Sequence, residues 1–160
     1  MNSKHLKYLL FSTVLAIPFW LGAALLHEAG LVKFYAPEGI TDWMAIGLIY
    51  PLIEELIFRG LLMGFLSRYP ILSRGRFVTT SNILTSIIFA LCHVLVSKIV
   101  VNGLLVFLPS LWLGATRERF GSVWMCCVIH AIWNLGLLTT FAFCNQYASA
   151  IRNLLGLEGY

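Results

Sequence analysis

The chain has 160 residues, 59% of them hydrophobic and only 11% charged, with a formal net charge of +4. A soluble domain carries roughly 25% charged residues, so these figures, with a mean hydropathy of +0.86, exclude an ordinary soluble fold and predict a multi-pass membrane protein. The basic residues sit in short loops without interleaved aromatics, which argues against a nucleic-acid partner.

A membrane-spanning helix needs about 20 apolar residues, and five stretches approach that length. Residues 8–26 are uncharged and interrupted only by Pro18, which membrane helices tolerate. The run is longer than a signal-peptide core and no A-x-A site closes it, so an uncleaved leading helix is expected. Residues 43–66 carry Glu54, Glu55 and Arg59; residues 78–97 carry His93; residues 99–115 are shorter and hold Asn102 and Pro109; residues 123–144 carry His130 and Asn134. Only Lys98 separates the third stretch from the fourth, so the turn near "SKIVVNG" has no secure place. The expected fold is therefore all-α: one polytopic membrane domain over residues 1–160, a bundle of about five helices embedded in the lipid bilayer.

Loop charges suggest an orientation. Lys4 and Lys7, then Arg68, Arg74 and Arg76, then Arg117 and Arg119 fall on one side; Glu28, Lys33, Glu38 and Asp42, Lys98, and a tail with Arg152 and Glu158 fall on the other. By the positive-inside rule the N-terminus is cytoplasmic, with a cell inner membrane as the expected location. The four cysteines, Cys92, Cys126, Cys127 and Cys144, lie in apolar stretches without C-x-x-C spacing and read as small packing residues.

The charged cluster "EELIFR" stands in a run that otherwise asks for lipid. Each such charge costs about 3 kcal/mol at the centre of a membrane helix, so a compensation or a function is required. On a helix Glu55 and Arg59 are four apart, with the acid N-terminal, and can pair. Glu54 points about 100° away from them, which leaves the two acids in different surroundings. The less neutralised one, Glu54, is suited to general acid–base work. Gly60 and Gly64 form a small-xxx-small ridge expected to serve close helix packing.

"FALCH" sets Phe89 one turn before His93, and "HAIWN" sets His130 and Asn134 on one helix face. An imidazole and a carboxamide aimed at one atom can hold a developing oxyanion, worth several kcal/mol of barrier in a dry site. Counted from the loops, His93 lies nearer the outer end than Glu54 or His130, so a tilt or a longer third helix must absorb the difference. Glu54, His93 and His130 could in principle ligate zinc. The helical H-E-x-x-H is absent, however, and "HEAGL" at His27 belongs to the end of the first helix. No metal and no cofactor is required.

In these residues the chain resembles the CAAX protease and bacteriocin-processing (Abi) family of intramembrane endopeptidases. The family pattern E-E-x-x-x-R, F-x-x-x-H, H-x-x-x-N, each on its own membrane helix, reads here as "EELIFR", "FALCH" and "HAIWN". "WLGATRERFGSVW" is similar to the glycine-containing helix and Gly-Ser turn before the third motif. The match spans roughly residues 43–144, the expected catalytic core, behind a leading helix at residues 8–26. The resemblance implies a glutamic-type protease. Glu54 with His93 would activate water, His130 and Asn134 would hold the oxyanion, and Glu55, Arg59 and Phe89 would support the site. It implies a membrane-anchored peptide or protein substrate, with C-terminal sorting signals favoured for so compact a chain. The alternatives are prenyl-CAAX cleavage, a zinc-dependent version of the same chemistry, and a non-catalytic immunity or ion-handling protein. Oligomeric state is not legible.

Overall fold

A chain in lipid must satisfy its backbone polar groups internally, which helices do. The computed structural model describes residues 3–32, 37–75 and 78–155 and contains no strand among them. Helix α1 is Ser3–Glu28. Helix α2 is a continuous run over 40–66, α-helical in Ile40–Met44, Tyr50–Glu55 and Met63–Leu66 and π-helical in Ala45–Ile49 and Leu56–Leu62. Helices α3 (Thr80–Ser97), α4 (Val100–Phe120) and α5 (Val123–Leu155) follow. All but α2 are long and apolar enough to cross a membrane; α2 is interrupted by its π turns and carries the charged cluster. Of the loop charges named above, Lys33, Arg76 and Glu158 lie outside the described residues.

The boundaries differ from the sequence expectation in three places. The turn near "SKIVVNG" falls on Lys98, a left-handed residue at φ 57°, with Ser97 Oγ accepting from Ile99 N–H at 3.2 Å. The fourth helix is not short, since it runs on past Ala115 to Phe120 and takes in Arg117 and Arg119. The last helix extends beyond Cys144, and its backbone departs from helical geometry at Tyr147. His27 is half-buried, its ring edge-on to Phe141 at 5.1 Å.

The burial pattern is inverted relative to a soluble protein. Val14, Leu61, Leu95, Leu104 and Leu108 are exposed, whereas Ser81, Asn82, Thr85, Ser86, Ser110 and Thr116 are fully or almost fully buried. Lipid offers no hydrophobic drive between helices, so small residues and hydrogen bonds hold the bundle. A seam of this kind ties α1 to α4 and α5. Trp20 donates to the carbonyl of Trp133 at 2.9 Å, Trp133 to the carbonyl of Ser12 at 3.0 Å, and Trp112 to Ser12 Oγ at 3.1 Å. Cys126 packs in the core beside Ala16, Leu113, Ile129 and Trp133, and none of the cysteines is in a disulfide.

Close approach is made by other glycines than the two expected. A Cβ on Gly114 would run into the side chain of Asn82, one on Gly103 into Val94 and the Ala90 carbonyl, one on Gly47 into Leu135, and one on Gly136 into Trp20. A Cβ on Gly64 would meet nothing within 4 Å, and on Gly60 only ordinary contacts at 3.8 and 3.9 Å. The Gly60/Gly64 ridge therefore makes no close helix approach, a Cβ on Gly60 having only an ordinary contact with Val123 of α5. Gly64 borders a cleft with Ser67, Arg117 and Gly121, and both glycines follow the start of a π segment that alters the α-helical register.

Asn82 is held by the Leu111 carbonyl at 3.1 Å and by Ser86 Oγ at 3.2 Å, so it cannot easily move aside. Gly114→Ala should therefore lower stability by about 1–3 kcal/mol, as overpacking does. Gly64→Ala should be neutral or stabilising by up to about 1 kcal/mol from helix propensity. Melting temperatures of both variants in one detergent decide the matter, and the reverse ranking would restore the ridge.

Candidate active site

The site grows from two adjacent residues of α2 that meet different surroundings. Glu55 is completely buried. Its Oε1 accepts from Arg59 Nη1 at 3.0 Å, the pairing expected for residues four apart. The same oxygen lies 2.8 Å from His130 Nδ1. A carboxylate only accepts, so His130 carries a proton on Nδ1 and donates it here. Glu55 Oε2 is buried without a hydrogen-bond partner.

Arg59, also fully buried, spends its other arm on α4. Nη2 donates to the Ser110 carbonyl at 2.8 Å and lies 2.6 Å from Ser110 Oγ. Its guanidinium stands over the Phe89 ring, 4.9 Å from the centroid. Phe89 thus covers a cation with a π face, an attraction that strengthens when water is excluded. The same ring touches His93 at 4.4 Å and faces His130 at 6.1 Å between centroids.

Glu54 keeps 30% of its side chain accessible, and its Oε2 lies 3.7 Å from His130 Nε2. That is too long for a direct hydrogen bond and leaves the carboxylate beside the imidazole at the cavity wall. His93 Nδ1 is 3.0 Å from the Phe89 carbonyl, to which it donates, so Nε2 is its remaining nitrogen. Asn134 Nδ2 donates to the Ile46 carbonyl at 2.9 Å, which uses one of its two amide hydrogens. Ile46 belongs to the first π segment of α2.

Glu54, Phe89, His93, His130 and Asn134 all line one cavity of about 230 Å³. It has room for several waters. The depth difference counted from the loops is absorbed without a longer α3, which begins at Thr80. Phe19, Ile46, Tyr50, Val106 and Leu137 make much of the remaining wall apolar. Glu54 and His93 also border a second cleft of about 160 Å³ with Phe58, Cys92 and Val96. Among the described residues no three His, Cys, Asp or Glu side chains are grouped closely enough to hold a metal ion.

Sequence reasoning missed three contributors. Ser110 had a weak signal, a hydroxyl beside Pro109 in an apolar stretch; Ile46 and Phe19 had none.

The family model described as "Type II CAAX prenyl endopeptidase Rce1-like" matches residues 36–136. The chain belongs to this family. No curated protein and no solved structure matches it. The Rce1-like match contains Glu54, Glu55, Arg59, Phe89, His93, His130 and Asn134, and ends before the C-terminal part of α5. Its description is that of an endopeptidase, so the polar cavity lies inside a membrane protease of the CAAX type.

In this Rce1-like chain the Glu55–Arg59 pair carries a clear energetic expectation. Breaking a buried pair costs about 3–5 kcal/mol, because the partner is left uncompensated. Glu55→Gln should therefore lower stability strongly, with water in the adjoining cavity holding the loss near the lower end. Arg59→Ala should do the same. Since both remove one interaction, the double variant Glu55→Gln/Arg59→Ala should cost less than the sum. A double-mutant cycle of melting temperatures tests this, and strict additivity would mean that the pair does not interact energetically.

Proposed function

We propose that the chain is a glutamic-type intramembrane endopeptidase that hydrolyses a peptide bond in a membrane-anchored substrate. The observation that carries the reading is His130, held by Glu55 at 2.8 Å and facing Glu54 at 3.7 Å. It divides two neighbouring acids into a buried, fixed support and a partly accessible carboxylate that borders the cavity.

In the proposed reaction Glu54, with His93 Nε2 as second acceptor, polarises a water in the cavity. The water attacks the scissile carbonyl as its proton passes to Glu54, giving a tetrahedral oxyanion. Glu54 then gives that proton to the departing nitrogen, and the C–N bond breaks. The second amide hydrogen of Asn134 is available for the oxyanion. His130 contributes when Nε2 also carries a proton, because Nδ1–H is committed to Glu55. Glu55 and Arg59 fix the imidazole, and Phe89 covers the cation.

The apolar wall favours a peptide that enters within or along the bilayer. A C-terminal sorting signal is the first reading of that substrate. The family description supports a prenylated CAAX peptide as the second reading. The N-terminus is proposed to be cytoplasmic, on the strength of Lys4, Lys7, Arg68, Arg74, Arg117 and Arg119.

Purified protein is to be incubated with membrane-anchored peptides of both kinds and the products read by mass spectrometry. Glu54→Gln should lower cleavage by at least about 100-fold, the lower range of general acid–base catalysis, with a melting temperature close to the parent. An unstable Glu54→Gln beside a stable, inactive Glu55→Gln would mean that the two roles are exchanged. Cleavage by both would remove the glutamate mechanism.

Zinc is expected to play no part. Elemental analysis of the active preparation should find none in stoichiometric amount, and chelators should leave the rate unchanged. One zinc per chain, lost together with activity, would establish the metal-dependent alternative.

A further inference from the structure

A separate cavity stands apart from the one lined by Glu54, His93 and His130. It measures about 680 Å³ and lies where α1 begins and α4 ends. Its cations are Lys4, Lys7 and Arg119, and its apolar floor is made by Tyr8, Phe11 and Trp112. Among the described residues no acid lines it. Glu118, the neighbour of Arg119, is turned away and accepts from Thr79 Oγ1 at 2.6 Å. Arg119 instead stands over the Tyr8 ring at 5.4 Å.

The floor is preformed. Tyr8 and Trp112 stack at 5.5 Å with planes 5° apart, and Phe11 meets Trp112 at 5.8 Å. Tyr8 Oη is bonded to Thr116 Oγ1 at 3.0 Å and Trp112 Nε1 to Ser12 Oγ at 3.1 Å, which fixes both rings. Amphipathic aromatics beside cations at the end of apolar spans mark the level of lipid headgroups. Below the pocket α1 presents Leu10, Phe11 and Val14 outward, each more than half exposed. Cations above an apolar track match an anionic phospholipid, with phosphate at Lys7 and Arg119 and an acyl chain along α1.

We propose that this pocket is a binding site for one anionic phospholipid. The site is separate from the catalytic residues and does not depend on the proteolytic reading. A phosphate diester accepts from the cations, each worth about fivefold in affinity near an anionic headgroup. The rigid aromatic floor accommodates the glycerol and upper acyl carbons, which an isolated phosphate cannot use.

The full-length protein in a nonionic detergent is to be titrated with dioleoyl phosphatidylglycerol or dioleoyl phosphatidylcholine, with retained lipid counted by native mass spectrometry. One phosphatidylglycerol should bind at least tenfold more tightly than phosphatidylcholine. Lys7→Gln, a change at an exposed side chain, should weaken it about fivefold, and Lys7→Gln/Arg119→Gln about 25-fold. Arg68→Gln/Arg74→Gln removes equal charge from the loop between α2 and α3 and should leave binding unchanged. Millimolar inorganic phosphate should not displace the lipid. Equal retention of the two lipids, equal losses from the two double variants, or full displacement by phosphate would each overturn the site.

Discussion

A carboxylate and a guanidinium placed inside an apolar bundle must stay together, and the helices are arranged around that requirement. Glu55 and Arg59 are both on α2, yet neither is satisfied by the other alone. Arg59 reaches α4 through Ser110, Glu55 reaches α5 through His130, and Phe89 of α3 lies against the guanidinium. A single intrahelical pair therefore fixes how four helices meet. The cost of a membrane charge is offset by hydrogen bonds that also orient the imidazole, so support and positioning are one set of contacts. A well-packed apolar replacement could match its stability, but it could not hold His130 by Nδ1.

What the sequence made legible follows from helical periodicity. Spacing alone told that Glu55 faces Arg59 and that Glu54 does not, and it put His93 and His130 on separate helices. Periodicity says which face a residue occupies and nothing about what lies opposite. The Ile46 carbonyl that holds Asn134, the Ser110 contact to Arg59 and the Phe19 wall are therefore absent from any local pattern. The Gly60/Gly64 expectation failed for a related reason. The spacing presumes an unbroken α-helix with a neighbour across from it, and α2 instead widens into a π turn beside a cleft. The Lys98 turn was hidden because left-handed geometry seldom falls on lysine.

The π segments of α2 bear directly on the site. One supplies the Ile46 carbonyl and the other contains Arg59, while the α-helical turn between them carries both glutamates. π turns recur at functional positions because they break the regular ladder locally. Here they flank the acids on both sides.

Phe19 lies in α1, outside residues 36–136 that match the family, yet it forms part of the cavity wall. The polar side chains of the cavity and this part of its wall therefore come from separately specified lengths of chain. α1 is fastened by indole N–H bonds to backbone and hydroxyl oxygens, and the Phe19 ring stacks on Trp133 of that seam at 6.1 Å. Its bulk closes one side of the cavity that the acid, imidazoles and amide line from the other helices. The shape of the cavity is in this way set partly by the leading helix, outside the residues that match the family.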